Sequence, residues 1–259
     1  MKITRTFSSS AHVHIRYHLY QPKVVLRTKA VIQIHHGRGE HCDLYDHFAK
    51  FLTDNGYVVV VSDWLGHGMS LIDFEQGYFG SSQGIEHMMK DMLHLQSIIR
   101  RSYQEEPYFL LGFDFGATMI RKFMSDYGDF VDGAILLGPL VKIKRHWIKK
   151  KFFDVMRLIK GPTYKANYYF QILHRHKKNE EVQQYLTNDL AEMKRIENDP
   201  MTNFPYTTQG YRDILNVIKE TFSSSSIKKI DQHFPLFLAV GKDDSASVGI
   251  DELVDKYKK

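Results

Sequence analysis

The chain alternates between short runs of apolar residues and longer stretches with helical periodicity. Several short runs are apolar throughout, which is typical of parallel strands covered on both faces. Strands are predicted at 2–7, 13–20, 30–36, 57–62, 108–111, 133–137 and 236–240. Apolar residues three and four positions apart predict helices over 85–99, 117–124 and 211–218. Strands alternating with helices favour a layered α/β fold with right-handed crossovers.

The alternation stops after Gly138-Pro139 and resumes near Pro205. This stretch is rich in aromatic and basic residues, so we interpret 139–205 as a helical cap between two parts of one core, 1–138 and 206–259. One helical face in the cap carries five apolar residues, Ile148, Phe152, Val155, Met156 and Ile159. Two interpretations stay open for this face: packing on the core, or contact with an anionic membrane.

Charge is distributed unevenly along the chain. The net charge is +5, yet residues 142–178 contain twelve Lys and Arg against one acid, a local charge of +11 that leaves −6 elsewhere. Such a block is typical of a surface that meets anionic partners, or of a solvated face with no partner. Both interpretations stay open: peripheral contact with an anionic membrane through the basic cap, or a solvated face without a partner, and we expect no nucleic-acid partner.

The sequence predicts a cytoplasmic location. No apolar run reaches the length needed to span a bilayer, and the N-terminus lacks the apolar segment of a signal peptide. One cysteine excludes an internal disulfide.

The strongest chemical signal is Gly112-Phe113-Asp114-Phe115-Gly116, which joins a predicted strand to a predicted helix. A glycine-flanked turn between a strand and a helix is the setting of the Gly-x-Ser-x-Gly nucleophile elbow. Here the central residue is aspartate. A carboxylate at a helix N-terminus is favoured by the helix dipole, so the substitution is tolerable for the fold.

Two further loops follow predicted strands. Gly37-Arg38-Gly39-Glu40-His41 comes after the third strand, and Asp63–Ser70 comes after the fourth. Together with the elbow, these motifs resemble the lysophospholipase and monoacylglycerol lipase branch of the α/β-hydrolases, of the serine aminopeptidase S33 type. The resemblance extends over nearly the whole chain, through His36–His41 with Tyr45, Gly66–Ser70, Asn198–Pro200, Tyr211–Asp213 and Gly241–Asp244.

The resemblance implies an α/β-hydrolase fold, a mostly parallel sheet flanked by helices, and hydrolysis of lipid-like esters without metal or organic cofactor. It implies that Asp114 occupies the nucleophile position and Asp244 the acid position, with Asp243 as an open alternative. It implies that the backbone amides of Arg38 and Phe115 form the oxyanion hole. The family's catalytic histidine lies downstream of the acid, and no histidine follows Asp244 here. The last strand, the terminal helix and the histidine are therefore expected to be missing.

Three functional hypotheses follow. A carboxylate that attacks an ester would form a high-energy anhydride, so we favour a ligand-binding homologue whose hydrolytic activity is impaired or lost. The first alternative is an active carboxylesterase or lysophospholipase whose sequence is truncated or altered. The second is an aspartate-nucleophile enzyme such as an epoxide hydrolase or dehalogenase. Those enzymes usually carry His-Gly-x-Pro where this chain has His36–Gly39.

The remaining histidines and the cysteine are interpreted as structural or solvated. His12, His14 and His18 alternate along one strand and are expected on a solvated face, and His174 and His176 lie in the basic block. His67 is expected to be structural. Cys42 is expected to be a small core or loop residue, and no metal site is predicted.

Overall fold

Seven strands form one mostly parallel sheet in the computed structural model, which describes residues 1–23, 27–143, 145–167, 187, 189–242, 244 and 249–258. The strands are β1 (Lys2–Ser8), β2 (His14–Tyr20), β3 (Val31–His35), β4 (Val58–Ser62), β5 (Tyr108–Phe113), β6 (Gly133–Leu137) and β7 (Leu236–Ala239). Their order is β1-β2-β4-β3-β5-β6-β7. Only the pairs made by β2 are antiparallel. All seven predicted strands are confirmed, with ends within two residues of the prediction.

Helices cover both faces of the sheet. The described residues form α1 (Asp46–Asp54), α2 (Gly84–Arg100), α3 (Phe115–Tyr127), α4 (His146–Lys160), α5 (Leu190–Glu197), α6 (Thr208–Thr221), α7 (Ser224–Ile227) and α8 (Ile250–Tyr257). The three helices predicted from apolar spacing correspond to α2, α3 and α6. The predicted α/β fold class is confirmed.

The core consists of two apolar layers separated by the sheet. Val58 and Val60 of β4 belong to the layer under α2, α3 and α6, whereas Val59 and Val61 belong to the layer under α1. Because successive side chains of a strand point to opposite faces, a strand buried on both faces must be apolar at every position. This requirement explains the unbroken valine run.

The parallel arrangement brings several loops to one edge of the sheet. Strands β3, β4, β5, β6 and β7 all run in the same direction, so the residues that follow them meet at their carboxyl ends. In open α/β sheets, ligands bind at this edge. The glycine-rich loop, the elbow and Asp244 all lie there.

Helix α4 turns its predicted apolar face outward. Four of the five residues of this face, Ile148, Phe152, Val155 and Ile159, are exposed, whereas Met156 is half-buried. The neighbouring Leu158 is 86% exposed. The interpretation in which this face packs on the core is therefore wrong for the described residues.

The opposite side of α4 makes the packing contacts. Phe153 is fully buried and stacks on Tyr211 of α6 with 5.0 Å between ring centroids. His146 Nε2 lies 2.9 Å from the carbonyl oxygen of Leu215. The cap limits 139–205 stay a prediction, and residues 144, 168–186 and 188 of that stretch lie outside the described residues. Among the described helices, none combines the length and apolar character that crossing a bilayer requires.

Candidate functional site

The elbow holds Asp114 in a strained backbone conformation between β5 and α3. Its φ is +51° and its ψ is −108°, a combination that costs a non-glycine residue about 1–3 kcal/mol. The Asp114 N–H donates to the carbonyl oxygen of Leu137 at the end of β6, at 2.9 Å. This contact ties the turn to the neighbouring strand and presents the Asp114 side chain at the carboxyl edge of the sheet.

The two flanking glycines are required by close approach. A Cβ atom on Gly112 would lie 2.5 Å from the Ala117 nitrogen, and one on Gly116 would lie 2.0 Å from the His35 carbonyl oxygen. Real Cβ atoms do not approach backbone this closely. The Gly-x-x-x-Gly spacing is therefore explained by packing, whatever the central residue does.

The Asp114 carboxylate is bound by Arg38 through both backbone and side chain. Asp114 Oδ2 accepts from the Arg38 backbone N–H at 3.0 Å and from Nε at 2.8 Å, and Oδ1 accepts from the second guanidinium branch at 2.9 Å. Two parallel bonds between a guanidinium and a carboxylate form a geometrically specific pair. The Asp114 side chain is 13% exposed and that of Arg38 is 38% exposed.

The two residues predicted to supply oxyanion-hole donors, Arg38 and Phe115, lie beside Asp114, and the Arg38 backbone N–H already has a hydrogen-bond partner. The Arg38 backbone N–H points at Asp114 and bonds its carboxylate. Phe115 is the first residue of α3, and the first-turn N–H groups of a helix have no partner within it. A negative oxygen of the protein itself is thus bonded to a backbone N–H that was predicted to stabilise an oxyanion.

The loop that carries Arg38 is braced from within by Glu40. Glu40 Oε2 accepts from the Gly37 N–H at 2.7 Å and from the Tyr45 hydroxyl at 2.8 Å. Burial raises the pKa of Glu40 to about 7, against the lowering effect of these two hydrogen bonds. These two hydrogen bonds tie Gly37 and Tyr45 to one buried side chain.

The segment after α5, residues 198–206, forms hydrogen bonds with the same loop. The Gly39 N–H donates to the Tyr206 hydroxyl at 2.8 Å, and the Gly39 carbonyl oxygen accepts from the Asn203 N–H at 3.0 Å. His41 Nε2 lies 2.8 Å from Asp199 Oδ2. Hydrogen bonds therefore connect the glycine-rich loop 37–41 directly to the region predicted as the end of the cap.

Asp244 lies at the same edge as Asp114. Its N–H donates to the Gly241 carbonyl oxygen at 3.1 Å, and its Oδ2 would lie 3.1 Å from a Cβ added to Gly138, the residue after β6. Because Asp114 bonds the last residue of β6, the two carboxylates project from neighbouring segments. Asp243, the alternative acid, lies outside the described residues.

Four buried histidines, His35, His36, His41 and His67, lie near this edge, and their contacts are structural. His36 Nε2 accepts from the Trp64 N–H at 3.0 Å, and His67 Nε2 lies 2.8 Å from the Tyr206 hydroxyl. His35 stacks on Trp64. Within the described part of the chain, every hydrogen bond to the Asp114 carboxylate comes from Arg38. The structural interpretation of His67 agrees with its buried position.

One prediction about the first histidines was wrong. His12 lies in a turn with φ +61°, and His14 is exposed at the start of β2, but His18 is only 2% exposed. His18 Nε2 lies 2.7 Å from Asp43 Oδ1, and its Nδ1 lies 2.9 Å from the Thr4 hydroxyl. The far end of β2 is covered by the loop that begins α1, and strand alternation alone cannot show this.

Cys42 is fully buried next to this loop, as expected for a small core residue. His174 and His176 lie outside the described residues.

Sequence reasoning identified Arg38 only as a backbone donor and missed its side chain. The missed signal was the pairing of opposite charges at Arg38 and Asp114, two loop positions that the fold brings together. Tyr206 was missed as well, because nothing in its local sequence distinguishes it from other aromatic residues in that stretch.

Comparisons with known proteins agree with this architecture. A family model described as serine aminopeptidase, S33 matches residues 27–250. The monoglyceride lipase of Mus musculus is 31% identical over 113 residues, which cover 44% of this chain and 36% of that protein. The match thus spans about a third of the curated relative.

Solved structures share the fold. A lipase in an open form has a TM-score of 0.86 at 20% identity and covers 100% of this chain and 86% of its own. A soluble variant of monoglyceride lipase from Saccharomyces cerevisiae, in complex with a substrate analog, has a TM-score of 0.78 at 15% identity, covering 98% and 81%. At these identities the likeness concerns the fold alone.

Proposed function

Because the chain is a lipase- or esterase-like α/β-hydrolase that belongs to the serine aminopeptidase S33 family, we propose that it binds a lipid-like ester or related small molecule and hydrolyses it poorly or not at all. The observation that carries the proposal is the hydrogen bond from the Arg38 N–H to the Asp114 carboxylate. The oxyanion donor and the nucleophile position are thereby engaged with each other.

The chemistry of Asp114 supports the loss of ester turnover. In the serine enzymes, a histidine takes the proton of the attacking hydroxyl and the oxyanion hole stabilises the intermediate. Here the central residue is a carboxylate whose attack on an ester would form an anhydride. Among the described residues, every hydrogen bond to the Asp114 carboxylate comes from Arg38, so no described histidine is bonded to it as a base.

The aspartate-nucleophile alternative is less well supported. A carboxylate that attacks an alkyl carbon must direct a lone pair at the substrate. Three N–H groups of Arg38 already bond Asp114, and the positive charge of the guanidinium reduces its nucleophilicity. Release of the resulting ester would also require a base near Asp114.

The ligand class rests on the relatives. Proteins named monoglyceride lipase match part of the chain, and a yeast structure with that name contains a substrate analog. We therefore propose a lipid-like ligand that lies at the carboxyl edge of the sheet, next to Asp114 and Asp244.

We expect the purified protein to hydrolyse p-nitrophenyl butyrate no faster than the Asp114→Ala variant, because neither protein offers a serine nucleophile. Release of nitrophenol at neutral pH measures both rates. Turnover by the wild-type protein that the substitution abolishes would refute the proposal.

A second proposal is contact with an anionic membrane through α4. The observation that favours it is the outward apolar face of α4, with Leu158 and Ile159 exposed beside Lys151 and Lys160. Apolar side chains flanked by lysines are typical of helices that lie in a membrane interface. This contact would place the protein at a cytoplasmic membrane surface.

We expect the Leu158→Ser, Ile159→Ser double variant to bind anionic vesicles about a hundredfold less tightly than the wild type or weaker still, since each buried leucine or isoleucine contributes about 1.5–3 kcal/mol. Co-sedimentation at low salt measures the bound fraction. The control is Phe130→Ser, which removes an exposed apolar side chain from outside the cap. Equal binding by the double variant and the wild type would exclude α4 as the contact.

A further inference from the structure

The Asp114 carboxylate has one acceptor position that Arg38 does not use. An ionised carboxylate offers about four lone-pair sites. Oδ2 accepts two hydrogen bonds from Arg38, and Oδ1 accepts one. The side chain is 13% exposed, so the remaining site on Oδ1 is the part of Asp114 that a ligand can meet.

This arrangement reverses the polarity of the site. In a serine hydrolase of this fold, backbone N–H groups offer donors to the carbonyl oxygen of the substrate. In this chain one of those donors bonds Asp114, and the group presented in its place is an acceptor. A ligand carbonyl oxygen would meet a carboxylate oxygen, which leaves both acceptors without a hydrogen.

Charge acts in the same direction. The Arg38 guanidinium is already paired with Asp114, so it is not available to a ligand anion without breaking that pair. A fatty-acid carboxylate would approach the carboxylate of Asp114, whereas a hydroxyl or an ammonium group would approach a hydrogen-bond acceptor.

We infer that the ligand group that meets Asp114 is a hydroxyl or protonated amine of a lipid-like molecule, recognised through an O–H or N–H that donates to Asp114 Oδ1, and that it is neither an ester carbonyl nor a fatty-acid anion. The inference rests on the proposed function as a lipid-binding hydrolase homologue. It assigns to Asp114 a role in selecting ligands by their hydrogen-bond donors.

The test compares four amphiphiles that share one alkyl chain: dodecanol, dodecylamine, methyl dodecanoate and dodecanoate. Binding is measured below their micelle-forming concentrations by isothermal titration calorimetry. We expect the wild type to bind dodecanol and dodecylamine about tenfold more tightly than the ester and the carboxylate, which is the scale of one charge-assisted hydrogen bond.

The Asp114→Ala variant is expected to reverse this order. Removing the carboxylate frees the backbone N–H and the guanidinium of Arg38, so dodecanoate gains about tenfold or more and the alcohol loses its acceptor. The matched control is Asp129→Ala, which removes an exposed carboxylate away from the site and is expected to keep the wild-type order. If the affinity order reverses in Asp114→Ala but not in Asp129→Ala, binding at Asp114 is distinguished from non-specific adsorption.

If Asp114→Ala does not fold, as judged by circular dichroism, Asp114→Asn replaces it and is expected to raise dodecanoate affinity for the same reason. Wild-type protein that binds the ester or the carboxylate as tightly as the alcohol would overturn the inference and leave lipid binding intact. If the Asp114 variant kept the wild-type order of the four affinities, the inference would also be overturned. If none of the four amphiphiles binds wild type or variant, the proposed function fails together with the inference.

Discussion

Replacing Gly116 with alanine is expected to destabilise the protein by about 3 kcal/mol or more. The new Cβ would lie 2.0 Å from the His35 carbonyl oxygen and 2.8 Å from that of His36. Both atoms are backbone at the end of β3, so no side-chain rotation relieves the clash. Helix α3 would have to move away from the sheet at its most closely packed point. Urea denaturation followed by circular dichroism measures the loss.

Gly128→Ala is the matched control for this substitution. Gly128 follows α3 directly, its φ is −56°, and no atom lies within 4 Å of an added Cβ. Its free energy of unfolding is expected to change by less than about 0.5 kcal/mol. If Gly116→Ala proved as stable as Gly128→Ala, the close packing of α3 on β3 would be disproved.

Asp63→Ala is expected to cost about 3 kcal/mol or more, because it leaves several buried donors without their acceptor. The Asp63 side chain is fully buried and accepts from Arg16 Nε at 3.0 Å, from the Cys42 N–H at 2.8 Å and from the Met69 N–H at 2.9 Å. It thereby joins β2, the start of α1 and the loop that follows β4. The free energy of unfolding at pH 7 measures the effect, and Asp129→Ala, at an exposed site, is the control.

The Asp63 contribution is expected to depend on pH in a defined direction. Burial alone would raise the pKa of Asp63, but the Arg16 charge and the Cys42 N–H outweigh it and hold that pKa below its ordinary value. A lowered folded-state pKa stabilises the protein above the ordinary aspartate range, and this stability is lost as the pH falls through the folded-state value. The difference between wild type and Asp63→Ala should therefore shrink in acid. A difference that grows in acid would contradict this assignment.

Much of the fold could be predicted from residue patterns because burial on both faces demands unbroken apolar runs. The valines of β4 and the elbow motif are examples: each is a local requirement of a strand or a turn. The outward face of α4 could not be predicted in this way. Helical periodicity defines an apolar face, but it does not say whether Phe153 or Ile148 meets α6.

The candidate site also has features that local sequence predicts and features that depend on the folded chain. Residue types and their spacing were enough to predict the position of Asp114 at the elbow, the glycines around it and the glycine-rich loop 37–41, because each is a local requirement of a turn. Their catalytic roles stay predictions.

The partner of the Asp114 side chain could be identified only from the folded chain. Arg38 and Asp114 are 76 positions apart, and they meet because β3 and β5 are paired and end at the same edge of the sheet. The direction of a long arginine side chain depends on the groups around it and not on its neighbours in the chain. The folded molecule therefore shows Asp114 paired with Arg38, where the sequence showed only an aspartate in place of a serine.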